Sequence, residues 1–121
     1  MTSNAPQVEV FFPEIKERPS EVAFISRCAL AYGYEHDPAK VRAAYLSYEA
    51  KRGTKPPQLS AIEKDYDATY QAIGALGHRQ NSFCATKDGE QVRAELRRFT
   101  SGYFDSKSPT PATASIAPRK P

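Results

Sequence analysis

The stretch DPAKVRAAYLSYEAKRG, residues 37–53, contains a complete helix with its start and stop signals. Asp37 is a good N-cap, and Pro38 suits the first helical position, where its missing N–H leaves no partner unsatisfied. Gly53 is a natural helix stop. Apolar residues recur at helical spacing between these signals, at Val41, Ala44, Tyr45 and Tyr48. The stretch therefore predicts an amphipathic helix that begins at Pro38.

The residues before this stretch predict another helix, from about Pro19 to Tyr32. Pro19 suits a first turn, and Gly33 suits a helix end. Apolar side chains lie on most sides of this helix: Val22, Phe24, Ile25, Cys28, Ala29, Leu30 and Tyr32. A stripe this wide predicts a helix that is buried on most of its surface.

Two more helices are predicted after the opening stretch. Ser60 and Glu63 form a capping-box pattern, and helical spacing of apolar residues continues from there to about Gly77. We expect Pro57 to keep the connector before Ser60 out of the helix. Asp88 begins a second capping-box pattern, and the fourth helix is expected to end near Gly102. The sequence thus predicts an all-α fold, a small bundle of about four helices.

The two ends of the chain differ from the predicted bundle domain, residues 19–104. Residues 1–18 are predicted to form an extended N-terminal arm. The pattern that favours this is the alternation of Val8, Val10 and Phe12 with Glu9 and Phe11, just before Pro13. Residues 105–121 are rich in Pro, Ser and Thr and hold almost no large apolar residues. We expect this C-terminal tail to be disordered, because it cannot bury enough surface to fold.

The charge balance argues against several classes of partner. The 121-residue chain carries a net charge of +3, and residues 1–104 hold 14 basic and 13 acidic residues. Nucleic-acid-binding domains usually show a strong basic stripe, so we expect no nucleic-acid partner. No apolar run is long enough to span a bilayer, so we expect no membrane partner.

The two cysteines, Cys28 and Cys84, are expected to lie near each other. In an up-down-up-down bundle the first and third helices run in the same direction. Cys28 precedes the end of the first helix, and Cys84 lies at or just past the end of the third. A disulfide bond is therefore plausible, and two free buried thiols are the alternative.

The sequence contains no recognisable catalytic or metal-binding pattern. His36 and His78 with the two cysteines lack the close ligand pairs of zinc sites. A nucleophile pair of Cys84 with His78 would lack a local base and oxyanion site, and Glu63 with Asp67 also fits a solvated polar face. We therefore expect no cofactor and no enzyme. A small metal-binding or catalytic helical protein remains the third alternative.

A non-catalytic interaction protein, such as an accessory subunit, adaptor or inhibitor, is the leading prediction. We expect a protein partner; the oligomeric state is left open. The candidate interface residues are Phe11, Phe12, Tyr70, Gly74 and Gly77. The two glycines flank Leu76 and would let another helix approach closely, with packing inside the bundle as the simpler interpretation. Two basic groups are candidate phosphate contacts or solvated helix ends: Lys51, Arg52 and Lys55, and Arg93, Arg97 and Arg98.

An early helical Cys28, tyrosines in the second helix, a late Cys84 and a final amphipathic helix resemble the small two-cysteine helical immunity proteins that block periplasmic amidase toxins. The resemblance implies an exported, disulfide-bonded inhibitor and assigns no site residues. The N-terminus lacks the regions of a secretory signal. We therefore expect a cytoplasmic protein if Met1 is the native start, and a periplasmic or otherwise oxidising location if a signal was removed.

Overall fold

The computed structural model describes residues 13–105, which form an all-α bundle as predicted. Five α-helices lie within this range: α1 Arg18–Ala31, α2 Pro38–Lys51, α3 Pro56–Gly74, α4 Gln80–Cys84 and α5 Gly89–Thr100. A 3-10 turn, Gly77–Arg79, joins the end of α3 to α4. None of the helices in this part of the chain is both long and apolar enough to cross a membrane.

Helix α1 is the centre of the bundle and packs against each of the other four helices. Its buried residues lie on every side, as the wide apolar stripe predicts: Pro19, Ser20, Val22, Ala23, Phe24, Ile25, Ser26, Cys28 and Ala29. The other helices each bury one narrow seam against it, such as Val92, Leu96 and Phe99 of α5. The core therefore surrounds α1, and the outer helices keep their polar faces toward solvent.

Two of the predicted helix starts are confirmed by their caps. The Asp37 carboxylate accepts a hydrogen bond from the Ala39 amide at 3.1 Å, with Pro38 in the first helical position. The Asp88 carboxylate accepts from the amides of Glu90 and Gln91, at 3.1 and 3.3 Å. These bonds satisfy amides of the first turn that have no partner within the helix.

The predicted start of the third helix at Ser60 is wrong, because α3 begins at Pro56. Pro56 and Pro57 occupy the first turn of the helix. Amides of the first turn have no acceptor within the helix, so the missing N–H of proline costs no helical hydrogen bond there. The extended conformation falls instead on the preceding residue, Lys55, with ψ of 155°. The two prolines therefore open this helix, whereas we expected them to delay it.

The predicted continuation of the third helix to Gly77 is also wrong. Helix α3 ends at Gly74, and Gly77 has φ of +60°, a left-handed conformation that glycine adopts without strain. The chain then turns into α4, a five-residue helix that buries Phe83 and Cys84. So short a helix has no apolar period to detect, and tertiary burial defines it.

A disulfide bond joins Cys28 of α1 to Cys84 of α4, with the two Cα atoms 5.4 Å apart. Both residues are almost completely buried. Of the two alternatives for the cysteine pair, a disulfide bond and two free thiols, the structure has the disulfide bond. It ties α4 directly to the central helix.

The predicted arm and tail lie largely outside the described residues. Phe11, Phe12 and the other residues of 1–12 fall outside them, as do residues 106–121. Of the predicted arm, residues 13–16 have no regular secondary structure, and α1 begins at Arg18, one residue before the predicted start. The last described segment returns to the bundle, where Phe104 is buried.

Candidate functional site

A concave surface lies where the α1–α2 loop faces α5. It encloses a cleft of about 340 Å³. We call it the loop–α5 surface; its members are Gly33, Tyr34, Glu35 and His36 of the loop, and Arg93, Leu96, Arg97 and Thr100 of α5. The two halves of this surface are some sixty residues apart in sequence, so the fold brings them together.

Two tyrosines hold the loop against the start of α5. The rings of Tyr32 and Tyr34 stack with their centroids 5.6 Å apart. The Tyr32 hydroxyl donates to the carbonyl of Lys87 at 2.9 Å, and the Tyr34 hydroxyl donates to the carbonyl of Gly89 at 3.0 Å. These bonds satisfy carbonyls next to the first turn of α5 and fix the position of the loop.

Gly89 makes this approach possible. A Cβ atom at this position would lie 3.1 Å from Cε1 of Tyr32 and 3.2 Å from the hydroxyl oxygen of Tyr34. Both distances are tighter than ordinary van der Waals contact. A larger residue would therefore push the two tyrosines, and the loop that carries them, away from α5.

His36 supports the same loop from the other side. Its Nε2 atom lies 3.1 Å from the Ser26 hydroxyl, and its Nδ1 atom lies 3.3 Å from the Tyr34 carbonyl. The Tyr34 carbonyl can only accept, so Nδ1–H donates to it, and Nε2 is engaged by the Ser26 hydroxyl. Ser26 is fully buried in α1, so this contact anchors the loop rather than presenting a nucleophile to a substrate.

Two arginines of α5 extend into the cleft from the opposite side. The guanidinium carbon of Arg93 lies 4.8 Å from the centroid of the Tyr34 ring, which is a cation–π contact. Arg97 follows one turn later and lines the same cleft. Within residues 13–105 neither arginine forms an ion pair, although Glu90 precedes Arg93 by nearly one turn and Glu35 lines the cleft.

A second, more open cleft of about 750 Å³ borders the same loop. It shares residues 33–36 with the first cleft and adds Leu30, Asp37 and Pro38. Leu30 is a large apolar side chain that is 41% exposed. The loop thus borders both the cleft that contains Arg93 and Arg97 and a cleft that contains the exposed Leu30.

The predicted interface residues on α3 lie elsewhere, and two of them meet on one side chain of α1. The Arg27 guanidinium lies 5.4 Å from the Tyr70 ring centroid and donates to the Gln80 side chain at 2.7 Å. A Cβ atom on Gly74 would lie 3.2 Å from this same guanidinium. Gly74 therefore leaves room for an arginine side chain, and Gly77 is exposed with open space around it.

Tyr70 also lines a small cleft between α2 and α3 of about 210 Å³. The cleft is bordered by Tyr66, whose ring stacks on that of Tyr70 with centroids 6.3 Å apart. Burial raises the pKa of Tyr66 to about 12, so this hydroxyl stays protonated at neutral pH. The role of Tyr70, Gly74 and Gly77 in an interface stays a prediction.

The carboxylates considered for acid–base chemistry, Glu63 and Asp67, both bind Arg42. The guanidinium donates to both carboxylate oxygens of Asp67 at 2.8 Å, and it also donates to Glu63. The hydrogen bonds from Arg42 lower the pKa of Asp67 below its usual value. A carboxylate held ionised in this way suits an ion pair between α2 and α3 and is a poor general acid.

A second aromatic and basic region lies where α1 begins and α2 ends, and we call it the Glu49 cluster. The Glu49 carboxylate, with its side chain 5% exposed, accepts from Arg18 at 3.0 Å and from the Tyr45 hydroxyl at 2.7 Å. Arg52 approaches it to 3.6 Å. Arg18 and Arg52 both contact the Tyr48 ring, at 5.6 and 5.5 Å from its centroid. Burial and the bond to Glu49 raise the pKa of Tyr45.

Comparison of the chain with protein-family models, curated proteins and solved structures finds no match. The site must therefore be judged from its own residues. Sequence reasoning identified Arg93 and Arg97 as a basic group but missed Tyr34 and Gly89. A Tyr-x-Tyr pair directly before a capped helix start was the available signal for the loop.

Among the described residues, no group of three or more His, Cys, Asp or Glu side chains is placed to hold a metal ion. His78 is exposed on the 3-10 turn, and Cys84 is occupied by the disulfide bond. The loop–α5 surface instead contains tyrosine and arginine, two residue types that are enriched at protein interfaces.

Proposed function

We propose that this domain is a non-catalytic protein-binding module whose partner contacts the loop–α5 surface and the adjacent Leu30. The observation that carries the proposal is the pair of arginines in a concave site beside a fixed tyrosine, without ion pairs in the described chain. Tyrosine and arginine are the residues that most often dominate the energetics of protein interfaces. A fixed loop also reduces the entropy lost on binding.

The polar groups around the cleft support binding better than catalysis. The ring nitrogens of His36 are engaged by Ser26 and by a backbone carbonyl, and the hydroxyl of Tyr34 is engaged by Gly89. These contacts hold the loop in place. A general base needs a free lone pair within reach of a substrate proton, whereas both ring nitrogens of His36 already have partners within the protein.

The proposal is tested by capturing partners from the source cells with the wild type and two matched double variants. Leu30→Asp with Arg97→Glu alters the proposed surface, and Ala61→Asp with Lys64→Glu makes the same charge change on the exposed side of α3. We expect a partner that the wild type and the α3 variant retain and the surface variant loses. Circular dichroism and thermal melting show that both variants keep the fold. Identical capture by all three proteins would refute the proposed surface.

A second candidate is an exported inhibitor stabilised by a disulfide bond, and the Cys28–Cys84 bond favours it. Disulfide bonds persist mainly in oxidising compartments. The test is to alkylate free thiols during extraction from the source cells and to measure the mass of the protein by mass spectrometry. Absence of alkylation in the unfolded protein supports export. Two alkylated cysteines mean that the bond is not formed in the cell.

A further inference from the structure

We propose that the loop–α5 surface accepts an acidic segment of its protein partner, whose carboxylates pair with Arg93 and Arg97. The inference rests on the proposed function and specifies the chemistry of the partner. It depends on three features of the surface: unused arginine donors, a fixed Arg93, and acidic neighbours that limit which anions fit.

The first feature is the contrast with other arginines of the described chain. Arg42 is bound by two carboxylates, and Arg18 and Arg52 share Glu49. Arg93 and Arg97 have no carboxylate within ion-pair distance among residues 13–105. They are one turn apart on α5, about 6 Å along the helix axis, so one short segment can reach both. Guanidinium groups bind carboxylates through paired N–H donors, and for Arg93 and Arg97 these donors have no carboxylate partner within residues 13–105.

The second feature is that Arg93 is already positioned. It lies over the Tyr34 ring, and the Tyr34 hydroxyl is bonded to the Gly89 carbonyl. A cation–π contact uses the face of the guanidinium and leaves its N–H edge available for a carboxylate. A side chain held in this way loses less conformational entropy when it pairs with a partner.

The third feature is the mixture of charges around the two arginines. Glu35 lines the same cleft, and Glu90 precedes Arg93 on α5. These carboxylates repel a continuous polyanion such as a nucleic-acid backbone, whereas one or two carboxylates can bind between them. Leu30 lines the second cleft, which shares residues 33–36 with the first, and it offers an apolar contact to an aliphatic side chain of the same segment. An acidic protein segment that also carries an aliphatic residue fits this pattern.

The test is an amide NMR titration of the full chain with two blocked peptides, acetyl-Glu-Leu-Glu-amide and its neutral counterpart acetyl-Gln-Leu-Gln-amide. We expect saturable shifts at residues 33–36 and 93–100 with the acidic peptide, at millimolar affinity, because exposed ion pairs are weak. The neutral peptide should bind about threefold to fivefold more weakly, the factor that exposed ion pairs typically contribute.

Two double variants with the same charge change localise the effect. Arg93→Gln with Arg97→Gln should lower the affinity for the acidic peptide by about threefold to fivefold. Lys51→Gln with Lys55→Gln, which removes two exposed cations beside the Glu49 cluster, should leave its affinity unchanged. Dispersed amide spectra show that each variant is folded.

Three results would overturn the inference. Equal binding of the neutral peptide at the same residues means that the surface binds proteins without using carboxylates, which leaves the proposed function intact. Scattered or absent shifts with the acidic peptide reject the acidic partner, while the capture experiment separately decides the proposed function. Tighter binding of a DNA dodecamer at the same residues assigns the arginines to nucleic acid instead.

Discussion

The Glu49 cluster and the loop–α5 surface are built from the same kinds of side chain, yet they differ in one component. Each places an arginine over a tyrosine ring, Arg18 over Tyr48 in one and Arg93 over Tyr34 in the other. The Glu49 cluster adds a buried carboxylate that binds its arginines. The loop–α5 surface has no such carboxylate within the described chain.

The difference accounts for the part the Glu49 cluster plays in stabilising the bundle, and it supports our proposal that the loop–α5 surface binds a partner. Inside the Glu49 cluster each charge has an opposite charge nearby, and Phe104 packs on both Tyr45 and Tyr48. At the loop–α5 surface the arginine side chains remain exposed. An arginine–tyrosine pair is thus a structural element where the fold supplies the carboxylate, and we propose that the pair of Arg93 and Tyr34 binds a carboxylate supplied by a partner.

The largest expected effect comes from removing the disulfide bond, which lies beside the loop–α5 surface. The bond closes a loop with a sequence separation of 56. Replacing both cysteines with alanine should lower the free energy of unfolding by about 4 kcal/mol, by the entropy of a loop of this size. Urea unfolding measures the change, with reduced wild-type protein as the control. A loss smaller than about 1 kcal/mol would show that the bond does not constrain the unfolded chain.

The next largest effect should follow from opening the Glu49 cluster. Glu49→Ala leaves Arg18, with its side chain 24% exposed, and the Tyr45 hydroxyl without their acceptor. Breaking a buried pair at one partner typically destabilises a protein by about 3 kcal/mol, and urea unfolding should show this loss. The matched change of an exposed carboxylate, Glu63→Ala, should remove less than about 1 kcal/mol. Equal losses would mean that burial does not distinguish the two sites.

Gly89→Ala should have an intermediate effect and should act on the loop–α5 surface alone. The new methyl group would collide with Tyr32 and Tyr34, and Tyr34 is bonded to the backbone of this same residue. We expect a net loss of about 1 kcal/mol after the gain in helix propensity, together with amide shifts throughout residues 33–36. Gln91→Ala, an exposed change on the same helix, is the control and should leave the loop unshifted. A stabilised Gly89→Ala protein with an unchanged loop spectrum would contradict the packing argument.

The smallest effect is expected at Arg42, an intermediate case in which a half-buried arginine already has its carboxylates. Asp67→Asn should remove less than about 1 kcal/mol at neutral pH, because the pair is solvated. The Arg42 guanidinium lowers the pKa of Asp67 from 3.8. The stabilisation is therefore present above pH 3.8 and is lost as the pH falls through the lower pKa of the folded state. Thermal melting of both proteins between pH 7 and 2 should show their difference begin to shrink below about pH 4 and disappear as the pH falls further.

Local chemistry made part of this fold predictable. Asp37 and Asp88 identify two helix starts because a side-chain cap is a contact between neighbours in sequence. The proximity of the two cysteines was predicted from helix direction and length, whereas the bond itself was left open against two free thiols. The start of α3 at Pro56 was missed because proline both opens and breaks helices, and α4 was missed because packing of Phe83 and Cys84 defines it.

The loop–α5 surface was beyond sequence reasoning for a different reason. Arg93 and Arg97 were visible as a basic group, but their counterpart Tyr34 lies far away in sequence. Whether an arginine is neutralised depends on which side chains the tertiary fold places around it. The helical period gives the face of α5 but not the loop that this face meets.

The Cys28–Cys84 bond also makes a closed covalent ring that contains all of α2 and α3. The exposed link around Gly53 and Lys55 lies inside this ring. A protease that cuts there opens the ring without releasing a fragment, since both pieces stay joined through sulfur. Such a nicked molecule keeps its full mass until a reductant is present. The disulfide bond thereby keeps the pieces of the bundle together after a cut at this exposed connector.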